Sequence, residues 1–320
     1  MVCMRASRTR AVTTVVALVF AAAAIGACGR DNDEGASQQP QGAQLRITLG
    51  TQAFPEARIL GELWRQALAA NGYTVDLRKR VGPAADLDEL LRQGEIDGHV
   101  AYTGTVLSVV AGQEVSGLDP EETYRRAKAF YSRRGMDMSA MTPFQNVDAI
   151  ATTDAFAQEN RLRSIADLRR LARFTLGARP EFEDLHLGLE GLKQLYGLTN
   201  ARFEPITLGE QYTALDEGDA DAVNAFTTDP QLQSGDYEVL ADPKLLFGSQ
   251  NAVMTVSADK LERIGRDRFL QVVDAVNRRL TQAAIVEMNA AVTDGQDEGD
   301  VARRFLREAG LMQSIGSDGG

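Results

Sequence analysis

Two similar segments of this sequence each end in an aromatic residue followed by threonine. Residues 91–103 end with Tyr102 and a Thr, residues 215–227 end with Phe226 and a Thr, and Leu, Gly, Asp, Ala and Thr stand at matching positions in both. In each copy a helix is predicted to end on the Gly, and a strand led by the Asp then runs to the aromatic residue. Aromatic rings and hydroxyls can hold a small molecule without reacting with it. The repeat therefore predicts one binding site to which two strand exits contribute.

The predicted elements around these exits alternate between strands and helices. A strand over 45–50, a helix over 55–70 and a strand over 74–81 form a βαβ unit with parallel strands. Further helices are predicted over 84–92, 120–134, a stretch capped by Ser164, 185–196, 210–216, 266–289 and 300–309. Further strands are predicted over 96–102, 147–152, 174–178, 202–207, 220–226 and 252–256. Because ligands of parallel α/β sheets lie beyond the carboxyl ends of the strands, the pattern predicts an α/β fold with a ligand cleft between two lobes.

Composition and motifs exclude several classes of function. The 320-residue chain has a net charge of −11, which disfavours nucleic acid and anionic lipid as partners. Phosphate-binding Gly-rich loops and the G-x-S-x-G, H-E-x-x-H and C-x-x-C motifs do not occur, and neither His99 nor His186 lies in a metal-ligand pattern. We therefore expect no enzyme activity, no catalytic residues, no cofactor and no metal. A hydrolase that uses a carboxylate pair such as Glu181 and Glu183 is the alternative.

The amino-terminal residues are typical of an export signal. Three Arg precede the apolar run 11–24, and Ile25-Gly26-Ala27-Cys28 then resembles a bacterial lipobox, in which the Cys is lipidated and becomes the first residue. This predicts a signal peptide over 1–27, lipidation of Cys28, a flexible tether over 28–43 and attachment to the extracytoplasmic face of the cell membrane through lipid alone. A plain signal peptide or an uncleaved anchor is the alternative.

A series of short motifs resembles one family of transport receptors. The segment 50–60 (G-T-Q-A-F-P-E-A-R-I-L) resembles the opening G-S-K-x-F-T-E-x-x-I-L of the glycine betaine/choline/carnitine-binding proteins of ABC transporters. The segments 94–97 (G-E-I-D) and 102–105 (Y-T-G-T) resemble two further motifs of that family. Smaller fragments follow in the family's order at 195–198, 211–215, 226–229, 287–289 and 301–306. The resemblance covers residues 45 to 312, and the ligand site is the part that diverges.

The resemblance implies a two-lobe periplasmic-binding-protein fold of type II. The first lobe would comprise residues 44–142 plus 243–316 and the second residues 143–242, so the chain would cross twice between them. Such a receptor, expected to be a monomer, closes around a small solute and docks on the membrane subunits of an ABC permease. A sensor or a module of a fused permease is the alternative. The absence of a run of roughly 20 apolar residues after residue 30 favours the free receptor.

The family holds a quaternary ammonium group in a cage of Tyr rings. A methylated cation is readily desolvated, and the faces of aromatic rings are negative. By motif position the resemblance gives three cage rings, two hydroxyl contacts and four polar neighbours. The candidate ligand-binding residues are Thr51, Gln52, Tyr102, Thr105, Asn146, Asp148, Tyr212, Phe226 and Thr228.

Each of these candidates also has a structural alternative. The two Tyr side chains fit ordinary positions at the boundary of the core. Thr51 and Gln52 stand where a helix begins and could cap it. Asp148 could be a solvated acid at the end of a strand. Trp64 lies on an apolar helix stripe and is expected in the core.

Three departures from the family pattern bear on the solute. Gln52 replaces a Lys, Leu185 stands where an Arg is expected, and Asp148 replaces a cage Tyr. Lys and Arg would hold the carboxylate of a betaine, whereas an acid suits a cation. We therefore expect a quaternary amine without a carboxylate, choline-like rather than glycine betaine, or an amine that pairs with Asp148. An unrelated polar solute in the same fold is the alternative.

Overall fold

Two five-stranded sheets form the framework of the chain, which the computed structural model describes for residues 45–207 and 209–313. The strands are β1 (Arg46–Gly50), β2 (Thr74–Arg78), β3 (Gly98–Tyr102), β4 (Met136–Met138), β5 (Asp148–Thr153), β6 (Phe174–Ala178), β7 (Ala201–Pro205), β8 (Ala222–Phe226), β9 (Tyr237–Leu240) and β10 (Ala252–Ser257). The first sheet has the order β2-β1-β3-β10-β4 and the second the order β7-β6-β8-β5-β9. In each sheet three neighbouring strands are parallel, and the next is antiparallel to both its neighbours. The two sheets therefore share one plan.

Helices flank both sheets and confirm the predicted α/β class. They are α1 (Pro55–Ala70), α2 (Ala84–Gln93), α3 (Thr103–Thr105), α4 (Pro120–Ser132), α5 (Asp154–Asn160), α6 (Leu189–Tyr196), α7 (Gln211–Glu217), α8 (Ala258–Ile264), α9 (Arg266–Asn277), α10 (Gln282–Thr293) and α11 (Glu298–Glu308). Short 3₁₀ helices cover Ile165–Arg170, Pro180–Glu183 and Pro230–Gln233, and a π-helical turn over Val106–Val110 continues α3. No helix within the described ranges is long and apolar enough to cross a membrane.

Helix α1 lies in the core beside the first sheet. Pro55 occupies its first turn, where a missing N–H costs nothing, and the chain turns away after it at Asn71. Its apolar residues are buried with those of α9, α10 and α11. Trp64 lies in this core, as expected, and its Nε1–H donates to Oδ1 of Asn277 on α9 at 2.8 Å. Because α1 is packed in the core along its length, the position of its first turn is fixed as well.

The internal repeat has the same geometry in both sheets. Gly94 and Gly218 end α2 and α7 with φ angles of 75° and 79°, a backbone conformation that Gly adopts without strain. The carboxylates of Asp97 and Asp221 then accept from a backbone N–H of the neighbouring parallel strand at 2.8 and 2.7 Å. These two acids serve the local backbone. The repeat thus positions the aromatic residue at the end of β3 and of β8 in the same way.

The chain passes from the first sheet to the second between β4 and β5 and returns between β9 and β10. The two connections pair with each other, since Gln145 forms an antiparallel bridge with Asn251 and Asn146 N–H donates to the Gln250 carbonyl at 3.0 Å. Gly104 is required here, because a Cβ on it would lie 2.5 Å from the Ser249 carbonyl oxygen. The proposed lobe boundaries fall within these connections.

Two predicted helices are wrong in extent. The helix predicted over 266–289 is two helices, α9 and α10, because Thr281 ends the continuity and caps α10, where its hydroxyl accepts from Ala284 N–H. The helix predicted from residue 185 begins only at Leu189, after a non-helical Gly188. The predicted signal peptide over 1–27, the tether over 28–43 and the lipidation site Cys28 lie outside the described residues.

Candidate functional site

The carboxylate of Glu56 joins the two sheets. Glu56 lies in the first turn of α1 with only 3% of its surface exposed. Its Oε1 accepts from the Tyr102 hydroxyl at 2.7 Å and from Nδ2 of Asn146 at 3.0 Å, and its Oε2 accepts from Nδ2 of Asn289 at 3.0 Å. The Thr228 hydroxyl also bonds to this carboxylate. The β3 exit turn (residues 102–105) and the β8 exit turn (residues 226–229) therefore meet at one acid.

Helix α10 holds the β8 exit turn in place. Nδ2 of Asn289 donates to the Thr228 carbonyl at 3.1 Å as well as to Glu56. At the first residue of the helix, Nε2 of Gln282 donates to the Thr227 and Gln145 carbonyls at 2.8 and 3.2 Å. A helix whose apolar residues lie in the core beside the first sheet thus fixes the exit of a strand of the second.

Burial governs the ionisation of Glu56. Desolvation raises the pKa of this carboxyl above its ordinary value, and this effect outweighs the hydrogen bonds that favour the charged form. Burial, together with the neighbouring Glu56, likewise raises the pKa of Tyr102 well above its ordinary value. The acid therefore holds its proton more tightly in the folded chain than in the unfolded chain.

The raised pKa of Glu56 predicts a pH-dependent stability. The stabilisation that it provides is complete below the unfolded pKa of about 4.5 and is lost as the pH rises through the folded pKa. We expect the free energy of unfolding of the ligand-free wild type, relative to Glu56→Gln, to fall as the pH is raised from about 4 to about 8. Urea denaturation at several pH values measures this difference, and a difference that does not change with pH would contradict the prediction.

A second cluster surrounds the guanidinium of Arg179, at the end of β6. Nη1 of Arg179 lies 2.8 Å from Oδ1 of Asp148, and Nη1 also donates to Oδ1 of Asn224. The guanidinium carbon lies 5.3 Å from the ring centroid of Phe182 and 5.6 Å from that of Phe226. Asp148 therefore has a cationic partner within the chain, and two aromatic rings already face that cation.

Tyr212 supports the β8 exit turn. Its hydroxyl donates to Oδ2 of Asp229 at 2.9 Å, and the same oxygen accepts from Phe226 N–H at 2.9 Å. Its ring lies 4.9 Å from that of Tyr237 in an edge-on arrangement, within the core beside the second sheet. Desolvation raises the pKa of Asp229. Tyr212 thus contacts the β8 exit turn, which carries Thr228. Tyr102, in the β3 exit turn, contacts Glu56.

The remaining candidates follow the last residues of two strands: Thr51 and Gln52 follow β1, and Thr105 follows β3. Thr51 is fully buried, and its methyl group lies against Gly61 of α1. Gln52 is half-buried. The Thr105 hydroxyl and N–H both donate to Oε1 of Gln250, at 3.3 and 2.9 Å, so Thr105 fastens the β3 exit turn to the returning connection.

Phe54 provides an exposed ring beside Tyr102. The two ring centroids are 5.8 Å apart, and Phe54 is 37% exposed whereas Tyr102 is 5% exposed. An exposed aromatic ring next to a buried one at a strand exit forms an apolar surface of the kind that a methylated ligand covers.

Sequence reasoning missed Glu56, Arg179, Asn224 and Asn289 as members of these clusters. Glu56 lies inside the opening motif 50–60, and Asn289 lies in the family fragment 287–289. Their positions in the sequence are therefore a signal that could have identified them. Asn224 is a buried polar residue within a strand, which is itself a signal. Among the described residues, no group of three or more His, Cys, Asp or Glu side chains is placed to hold a metal ion.

Two similar sheets, two paired chain connections and a polar site at facing strand exits define a periplasmic binding protein of type II. The family OpuAC, the substrate binding domain of the ABC-type glycine betaine transport system, matches residues 46–308, and the chain belongs to this family. The resemblance read from the motifs is thereby confirmed, and with it the role of a substrate-binding protein of an ABC transporter.

Individual relatives agree with this assignment. The chain is 30% identical over 285 residues to a glycine-betaine-binding protein of Pseudomonas aeruginosa, which covers 85% of this chain and 90% of that protein. It is 22% identical to the glycine betaine-binding protein YehZ of Escherichia coli, over 85% of this chain and 93% of YehZ. A crystal structure of a glycine betaine/carnitine/choline ABC transporter superposes with a TM-score of 0.75, at 20% identity, over 83% of this chain and all of that one.

Proposed function

We propose that this chain is the extracytoplasmic, lipid-anchored receptor of an ABC importer and that it binds a choline-like quaternary amine in preference to glycine betaine. The observation that carries the proposal is the pairing of Tyr102 with Glu56 at the place where the two strand exits meet. An aromatic ring with a carboxylate at its hydroxyl end favours a cation, and the exposed Phe54 ring adds apolar surface for methyl groups.

The preference for choline follows from the charges around Arg179. Sequence reasoning counted two lost cations and one gained anion and overlooked Arg179. Arg179 pairs with Asp148 at 2.8 Å and lies 3.5 Å from the exposed Glu181 carboxylate, so neither Arg179 nor Asp148 is free for a ligand. A betaine carboxylate would have to compete with Asp148 for the guanidinium and would leave that acid without its partner, which costs free energy. Choline has no carboxylate and avoids this cost.

The wider role completes the proposal. Lipidation of Cys28 would hold the receptor at the membrane, and residues 28–43 would give it reach to the permease. A single receptor chain would close over one solute and present the closed form to the permease. The ligand would leave unchanged, because no step of this process makes or breaks a bond.

Calorimetric titration tests the proposal. The exported protein, with Cys28→Ser to omit the lipid, should bind one equivalent of choline, and glycine betaine should bind at least about tenfold more weakly. Amino acids and polyols are the comparison set, and recovery of intact choline tests the absence of turnover. Tighter binding of glycine betaine would overturn the choline preference. Binding of a polyol or amino acid and of no methylated amine would favour the unrelated polar solute.

A further inference from the structure

Glu56 is a buried carboxylate whose hydrogen-bond partners in the described part of the chain are all neutral. They are the Tyr102 phenol, the Asn146 and Asn289 amides and the Thr228 hydroxyl. A buried charge normally needs a partner of opposite charge or a full set of hydrogen bonds. Hydrogen bonds alone leave the net negative charge of the ionised form in place, and that charge lies between the two strand exits.

Tyr102 connects this carboxylate with the exposed Phe54 ring. Its hydroxyl donates to Glu56 at 2.7 Å, and its ring lies 5.8 Å from the exposed Phe54 ring. A cation on an aromatic ring sits within about 6 Å of the ring centroid. In a buried site the attraction between such a cation and a carboxylate at the hydroxyl end of the ring is weakly screened.

We propose that Glu56 is a specificity-determining residue, which supplies the negative charge that selects a cationic solute over a neutral molecule of the same shape. The inference rests on the proposed function, because it requires a quaternary amine on the Tyr102 ring. It replaces the sequence-based suggestion that an amine pairs with Asp148, since Arg179 already neutralises Asp148.

The variant Glu56→Gln removes the negative charge of this side chain and keeps nearly the same shape. A Gln side chain keeps one oxygen to accept from Tyr102. It places an NH₂ group where the second carboxylate oxygen stood. The new amide faces Asn289, whose Oδ1 is buried without a hydrogen-bond partner in the described ranges, so the Asn289 amide can rotate to accept from it at the loss of the bond from its Nδ2 to the Thr228 carbonyl. The substitution therefore preserves the packing around Tyr102.

The experiment compares choline with 3,3-dimethylbutan-1-ol, in which carbon replaces the quaternary nitrogen. We expect the wild type to bind choline at least about tenfold more tightly than the neutral alcohol, and we expect Glu56→Gln to lose most of this ratio with little change for the alcohol. Glu62→Gln is the matched control. Glu62 is a buried acid of the same helix, but Arg65 and Lys79 neutralise it at 2.6 and 2.8 Å, so the ratio should stay unchanged.

The possible outcomes separate this inference from the proposed function. Equal weakening of both ligands in Glu56→Gln would overturn the inference and leave Glu56 as a support for Tyr102. Binding of neither ligand by the wild type would overturn both the inference and the proposed function. If the variant does not fold, proton release by the wild type on ligand binding tests the inference instead. Choline, but not the alcohol, should then release protons on binding, because the cation favours the ionised form of Glu56, whose pKa burial raises in the ligand-free chain. Tyr102, the other titratable group in contact with the cation, stays protonated, since burial raises its pKa as well.

Discussion

Replacing Tyr102 with alanine should weaken choline binding by about 30-fold to 100-fold. In the proposed site the ring would supply a desolvated cation–π contact worth about 2 kcal/mol, and its removal also opens a gap beside Phe54. The hydroxyl that connects the site to Glu56 is lost as well. Calorimetry at fixed ionic strength measures the change.

Two further variants show whether the effect belongs to the ring at this position. Tyr102→Phe keeps the ring and should retain most of the affinity. Tyr124→Ala removes a Tyr of α4 whose hydroxyl bonds to the Ser139 carbonyl at 3.0 Å, and it should leave the affinity unchanged. Wild-type affinity in Tyr102→Ala would show that the ligand does not use this ring.

Replacing Asp148 with asparagine should shift the preference of the site toward glycine betaine. The carboxylate now neutralises Arg179, and the amide removes that charge while keeping an oxygen for Arg179 and Asn224. A charge-assisted hydrogen bond contributes about 1.5–3 kcal/mol, so glycine betaine should bind roughly tenfold more tightly than in the wild type. Choline should change little, because it has no group for the guanidinium.

Asp242→Asn is a suitable control for this variant. Asp242 accepts from the Tyr196 hydroxyl and from Phe247 N–H, and it supports the second sheet without contacting Arg179. An equal ratio of the two affinities in Asp148→Asn and the wild type would show that Arg179 does not reach a ligand carboxylate.

The elements that carry the site could be predicted because their signals are local. Pro55 and the apolar stripe of α1 gave that helix its bounds, and the two Gly-ended helices with their Asp-led strands located both strand exits. The break between α9 and α10 was missed because Thr281 also suits a helix interior by periodicity. Its capping bond, in which the hydroxyl accepts from Ala284 N–H three residues further on, is itself a local signal.

The contacts within the site could not be predicted because they join distant residues. Glu56 and Asn289 are 233 positions apart, and no local pattern states that they meet. Arg179 was missed for a related reason. The family motif directs attention to position 185, whereas the guanidinium that faces Phe226 comes from the preceding turn of the same segment.

Intermolecular nuclear Overhauser effects between choline and the receptor provide the most direct test of the central claim. If a quaternary ammonium lies where the exits of β3 and β8 meet, its N-methyl protons should show strong cross-peaks to the ring protons of Tyr102 and Phe54 in selectively labelled protein. Cross-peaks to rings elsewhere, with none to Tyr102 or Phe54 at saturating choline, would contradict the account.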